Sequence, residues 1–256
     1  MFMRINKFLA ESGVASRRQA DEWIAAGRVT INDQQAQLGS VVTDEDIVAL
    51  DGKPLQQKPA KLYIALNKPV GITCTTERTV RGNIVDFVNH PQRIFPIGRL
   101  DKDSEGLILL TNDGDIVNSI LRAEQRKEKE YIVTVDRELT EACLQGLASG
   151  VKILGRMTLP CTVEQLAPNR FRIILTQGMN RQIRRMCEAW GYNVKRLRRV
   201  RIMNIELGDL PVGQWRPLSK RELTEMFALL KKTDSFGTIN KNQQANHTKR
   251  ERRGHK

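Results

Sequence analysis

"FPIGRLDKDSEGLILLTNDGD", residues 95–115, is the stretch on which the fold turns. The apolar run Leu107–Leu110 follows a polar turn, and a short apolar run bounded by turn residues reads as a buried strand. Just ahead of it, Asp101 stands between Arg99 and Lys102, in a chain with 42 Lys and Arg against 29 Asp and Glu. "DKDSEG" begins like a calcium loop, but such a loop needs further ligands after its glycine and an acid at the twelfth position. Here Leu107–Leu110 follow, and the twelfth residue is Asn112, so calcium fails. On spacing alone, Asp101 reads as a structural residue that caps its turn and pairs with a neighbouring arginine.

Outward from this strand, strand and helix signals alternate. "KLYIALNKP", "EYIVTVD", "CTVEQL" and "FRIILTQG" have strand composition, with "APNR" a hairpin turn between the last two. "DIVNSILR" and "TEACLQGLASG" read as helices. In "NRQIRRMCEAWG", Asn180 is the expected cap, Ile183, Met186, Cys187 and Trp190 recur at helical spacing, and Gly191 ends the helix. "SKRELTEMFALLKK" repeats the design, with Ser219 and Glu222 as a capping box and Leu223, Met226, Phe227 and Leu230 inside. The pattern predicts an α+β domain over residues 62–232 with a mostly antiparallel mixed sheet flanked by helices.

A smaller module, residues 1–51, precedes it, joined by a polar linker over 52–61. In the module, a short helix over 4–12 is followed by "SRRQADEWIAAG", with Ser16 as N-cap, Gln19 as its reciprocal partner and Gly27 as stop. Ala20, Trp23 and Ile24 share the buried face, leaving Arg17, Arg18 and Arg28 to project. "VTIND" and "DIVALDG" read as short strands. Residues 233–256 are polar and basic, with little to bury, and read as a disordered arm.

With 256 residues and 40% apolar content, the chain can bury a sizeable core. A net charge of +13 and a pI near 9.9 favour a polyanionic partner, nucleic acid before membrane. No run of 18 apolar residues occurs, and "MFMRINKFLAES" lacks a signal-peptide core, which points to the cytoplasm. Cys74, Cys143, Cys161 and Cys187 are far apart, which argues against zinc and against a disulfide framework. Two of the three histidines, His247 and His255, lie in the tail, so a His-based triad or metal site would rest on His90 alone. No glycine-rich phosphate cradle is present for a nucleotide cofactor.

Residues 181–201 hold eight basic residues and one acid, interrupted at intervals by apolar ones. That is a structured, one-sided surface for phosphates. On a helical wheel, Arg181 and Arg185 point away from the apolar stripe, whereas Arg184 lies at its edge, placed to reach into a cleft. An arginine so placed would keep a carboxylate ionised and oriented. Tyr131, in "KEKEYIVTV", starts a strand and by composition alone matches a core tyrosine with a wet hydroxyl.

Four motifs then combine. "GRLDKDSEGLILLTNDGD" with "LNKPVG" (66–71), "KEYIV" (129–133) and "GMNRQIRRMCEAWGY" (178–192) resembles the pseudouridine synthases of the RsuA/RluF type, which modify ribosomal RNA, with the RluF type nearest. "RINKFLAESGVASRRQADEWIAAGRVTIN" is similar to the S4-type RNA-binding module that precedes their catalytic domain. The resemblance implies isomerisation of uridine to pseudouridine in 23S ribosomal RNA, with tRNA a second candidate, without cofactor or metal; a monomer is the default expectation. Asp101 would be the essential acid, attacking C1′ of the ribose or removing a sugar proton. Arg184 would hold its carboxylate, Tyr131 would lie against the uracil, and Arg99 would help fill the space left by the flipped base. RNA contacts would come from Lys7, Arg17, Arg18 and Arg28 in the module, and from Arg181, Arg185, Lys195, Arg196 and Arg198. The competing readings are a non-catalytic, ribosome-associated RNA-binding protein and a hydrolase that releases uracil.

Overall fold

The apolar run at 107–110 lies within the strand Glu105–Thr111, and every residue of that strand is buried. One of its edges pairs antiparallel with Tyr63–Lys68. The other edge is shared: Val194–Ile202 runs parallel to it at Glu105–Gly106, and Phe95–Ile97 pairs antiparallel with it at Leu109–Thr111. The turn carrying Asp101 connects Phe95–Ile97 to this strand. The structure, a computed structural model, describes residues 2–55, 59–124 and 127–231; the tail read over 233–256 lies outside them.

Beyond Val194–Ile202 the sheet continues antiparallel through Lys129–Val135, Arg170–Leu175 and Thr162–Ala167, while Trp215–Pro217 closes the far side. The result is a nine-stranded mixed sheet in an α+β fold. Its parallel pair depends on Gly106, whose φ is +104° and where a Cβ would lie 2.2 Å from the Arg199 carbonyl oxygen. No side chain fits there, because the two backbones are already in contact.

Helices Glu141–Ser149 and Gln182–Ala189 cover one end of the sheet, over Val133, Phe171 and Ile173. Helices Gly114–Glu124 and 220–231 cover the other, where Met226 and Leu109 are buried. Burial of such a side chain contributes about 1.5–3 kcal/mol. The Ser219–Glu222 capping box forms: the Glu222 N–H donates to Ser219 Oγ (3.2 Å) and the Ser219 N–H to Glu222 Oε2 (2.7 Å).

Helix Gln182–Ala189 departs from its sequence reading at both ends. Its cap is Arg181, in the left-handed region (φ 50°), not Asn180. Trp190 is 40% exposed rather than in the core, with its indole against Gly146. Ile183, Met186 and Cys187 are buried as the periodicity requires, and burial pushes the Cys187 thiol up to about 12.

In the N-terminal part, helices Ile5–Glu11 and Arg17–Ala25 pack on a four-stranded sheet around Ile5, Leu9, Ala20 and Ile24. Ser16 Oγ accepts the Gln19 N–H, as the capping signal requires. That sheet includes Lys53–Pro54, within the stretch read as linker. Pro54 is tolerated because its strand is at the edge, where its missing N–H is not needed. An ion pair between Lys7 and Asp115 (2.6 Å) ties the first helix to Gly114–Glu124, beside a crevice of about 280 Å³. No helix among the described residues is long and apolar enough to cross a membrane.

Candidate active site

The turn that carries Asp101 is held from three sides. Within it, the Ser104 N–H donates to the Asp101 carbonyl (3.1 Å). From the segment after Tyr63–Lys68, the Gly71 N–H donates to the Lys102 carbonyl (2.8 Å), and Cys74 Sγ accepts the Leu100 N–H (3.4 Å). That segment is itself folded around Lys68, which is fully buried and donates from Nζ to the carbonyls of Pro69 and Ile72, both at 2.9 Å. Desolvation pushes the Lys68 pKa down, as expected for a buried ammonium paired only with neutral oxygens. Helix Gln182–Ala189 supplies the third hold, through Asp103.

Arg181 grips the Asp103 carboxylate with two bonds, at 3.0 and 2.9 Å, and these hold that carboxyl below its usual range. Arg184 donates to the Asp103 and Val194 carbonyls (2.8 and 3.1 Å), with its Nε 3.3 Å from Asp103 Oδ2. The expected pairing of Arg184 with Asp101 is therefore not formed. Arg184 lies along the outside of the turn and clamps its backbone to the start of Val194–Ile202. The arginine nearest the Asp101 carboxylate is Arg181, 3.8 Å away.

A cavity of about 490 Å³ opens over this turn. Its charged lining consists of one acid, Asp101, and four cations, Arg99, Lys129, Arg181 and Arg199. Tyr131 and the apolar Leu100, Leu175, Leu197 and Ile183 complete its walls. A lone carboxylate facing several cations across a partly apolar cavity can act as a nucleophile or base. Among the described residues, no group of His, Cys, Asp and Glu could hold a metal.

The structure thus brings together Asp101, Tyr131, Arg99 and Arg181 from the sequence-derived set. Several other expected RNA contacts are already engaged within the protein. Lys7 pairs with Asp115 and Glu11, Arg28 with Asp51 while its guanidinium lies 5.1 Å from the Trp23 ring centroid, and Arg196 with Glu105. Each has found a carboxylate contributed by a neighbouring element, which spacing along one segment could not reveal. Arg185 caps back onto Asn180, whereas Arg17, Arg18 and Lys195 are exposed. Arg198 is partly buried, with its Nε unpartnered. Sequence reasoning missed Lys129 and Arg199 in the cavity lining. Lys129 opens the "KEYIV" motif, whereas the only signal for Arg199 was membership of a charged run, the same as that of surface residues.

A family model described as RNA pseudouridylate synthase matches residues 62–189, and one described as S4 domain matches residues 3–48. The chain is 53% identical over 235 residues to the dual-specificity RNA pseudouridine synthase RluF of Escherichia coli K12, an alignment covering 91% of this chain and 81% of that protein. It is 34% identical to the ribosomal small subunit pseudouridine synthase A of Yersinia pestis, covering 88% of this chain and 99% of that one. A solved pseudouridylate synthase superposes with a TM-score of 0.63 at 31% identity, covering 87% of this chain and 99% of its own. By these family, sequence and fold matches the chain belongs to the RNA pseudouridylate synthase family, whose reaction isomerises uridine to pseudouridine within RNA.

Proposed function

We propose that Asp101 is the residue that makes this chemistry run, on a uridine flipped into the 490 Å³ cavity from large-subunit ribosomal RNA. The observation that carries the reading is the solitary acid among cations. A retaining or inverting glycosidase needs two carboxyl groups, one of them to protonate the leaving group. Uracil leaves as a delocalised anion and needs no such proton, so one ionised carboxylate suffices if cations surround it. Asp101 attacks C1′ or removes a sugar proton, the base turns, and C5 bonds to C1′. Tyr131, on the cavity wall, lies against the uracil ring and assists removal of the C5 proton. Arg181 orients Asp101 from the solvent side, and Arg184 supports the turn from behind.

In the same reading, residues 1–51 form the RNA-anchoring module and 62–232 the catalytic domain, working as a cytoplasmic monomer without cofactor. The dual specificity named for the RluF relative makes a tRNA the second substrate to examine. The test is carbodiimide mapping of pseudouridine in protein-free 23S RNA and in bulk tRNA after treatment with the enzyme. A single new stop in 23S RNA is the expected result. Modification confined to tRNA would reject ribosomal RNA as the substrate.

A further inference from the structure

Arg199 is 4% exposed, yet it lines the cavity. Its Nε donates to the Leu107 carbonyl (2.7 Å) and its Nη1 to the Arg99 carbonyl (3.4 Å). Nη2 is buried without a hydrogen-bond partner. Among the described residues, no carboxylate lies within ion-pair distance of this guanidinium. The strand register sets the position: Arg199 faces Tyr131 on one side and Gly106 on the other, beside a bulge in the pairing with Lys129–Val135. Bulges re-aim side chains next to active sites.

A buried cation without an acid is costly, and an orphaned buried donor costs about 1–3 kcal/mol more. Two main-chain carbonyls would satisfy a purely structural role, and a neutral side chain could fill it. The uncompensated charge and free donor instead suit an anion that exists only during reaction. RNA phosphates stay with the backbone at the rim, whereas the flipped base enters the cavity.

Resting on the function proposed above, we infer that Arg199 Nη2 donates to a carbonyl oxygen of the flipped uracil and stabilises the negative charge formed as the glycosidic bond breaks. The C1′–N1 bond cleaves with its electron pair moving to the base, where it spreads over N1, O2 and O4. Meanwhile Asp101 holds C1′ as an ester or keeps the sugar proton it removed. The base turns, C5 bonds to C1′ as Asp101 is released or returns that proton, C5 gives up its proton and N1 takes one, so the product is an isomer of the substrate. Arg199 acts in the first step, as oxyanion donors act in acyl transfer.

The test compares wild type, Arg199→Gln and Arg199→Lys in single turnover on RNA carrying uridine or 5-fluorouridine at the target. Consumption of the target nucleoside is read by liquid chromatography of nuclease digests, which separates each nucleoside from its product before mass spectrometry. Fluorine stabilises the departing anion, so dependence on Arg199 should weaken. Arg199→Gln is expected to lose about 10²-fold on uridine and about tenfold or less on 5-fluorouridine. Arg199→Lys, which keeps the charge should the glutamine variant fail to fold, is expected to show the same ordering with smaller losses. RNA affinity and the acid limb of the pH–rate profile should stay in place. Equal losses on both substrates would overturn the inference, assigning Arg199 to the scaffold. An acid limb shifted upward would also overturn it, assigning Arg199 to keeping Asp101 ionised. A wild type that consumes neither nucleoside would instead remove the functional reading beneath it.

Discussion

Asp101 sits in a turn whose main chain is bonded to the Gly71–Cys74 segment and, through Asp103, to Arg181 and Arg184. On the proposed reading the acid needs a fixed position; among the described residues its own carboxylate has Arg181 3.8 Å away and no hydrogen bond, which leaves it free for substrate. The backbone contact at Gly106 belongs to the same scale. Gly106→Ala forces a left-handed alanine against the Arg199 carbonyl, and should destabilise the protein by at least about 1–3 kcal/mol in urea unfolding. A loss below a few tenths would show that the two strands can separate there. Asp101 and Tyr131 were legible through their motifs, and the cavity joins them. Arg199 was not, because a buried arginine and a surface one look alike inside "KRLRRVR". The Asp101–Arg184 pairing failed for a related reason: Arg184 sits one turn along the helix from Arg181, and only the turn's path decides which one meets which carboxylate.

Most elements of the catalytic part announced themselves through periodicity and caps, and the missed ones are instructive. Val194–Ile202 is a central strand of the sheet, yet its extra residue at the bulge breaks the period of two, and its arginines disguise it as surface. Very short strands such as Lys152–Ile153 and Arg156–Met157 carry too few residues to show any period. The capping box of helix 220–231 makes a quantitative prediction. Arg216 donates twice to Glu222 (2.7 and 2.8 Å), and with the Ser219 contacts this draws the Glu222 pKa down to about 2 from 4.5. A depressed carboxyl contributes stability above its unfolded pKa and loses it as pH falls through the folded one. Glu222→Ala should therefore cost about 1.5–3 kcal/mol at neutral pH. The gap to wild type should narrow as pH drops from 4.5 toward 2. A gap that stays constant across that range, measured by denaturant melts, would mean the pair contributes nothing through its charge.

At the scale of the molecule, the N-terminal part meets the catalytic part at Lys7–Asp115, an ion pair exposed enough to be worth about 0.2–1 kcal/mol. Net charge pointed correctly to RNA, but which cations are free for it depends on how the elements assemble. Arg17 and Arg18 are exposed, whereas Lys7 is paired. Replacing both arginines by glutamine should lower the slope of log affinity against log salt by about 2. Lys7→Gln should leave that slope nearly unchanged. If Lys7→Gln lowers the slope as much as an arginine does, the bridge opens when RNA binds.

The most direct test of the account is release of tritium from RNA labelled at uracil C5, by wild type and by Asp101→Asn, with RNA affinity measured in parallel. Release by the wild type, none by the variant, and equal binding by both are expected. Release by Asp101→Asn at the wild-type rate would contradict that expectation, since the single acid of the cavity would then have no part in the chemistry.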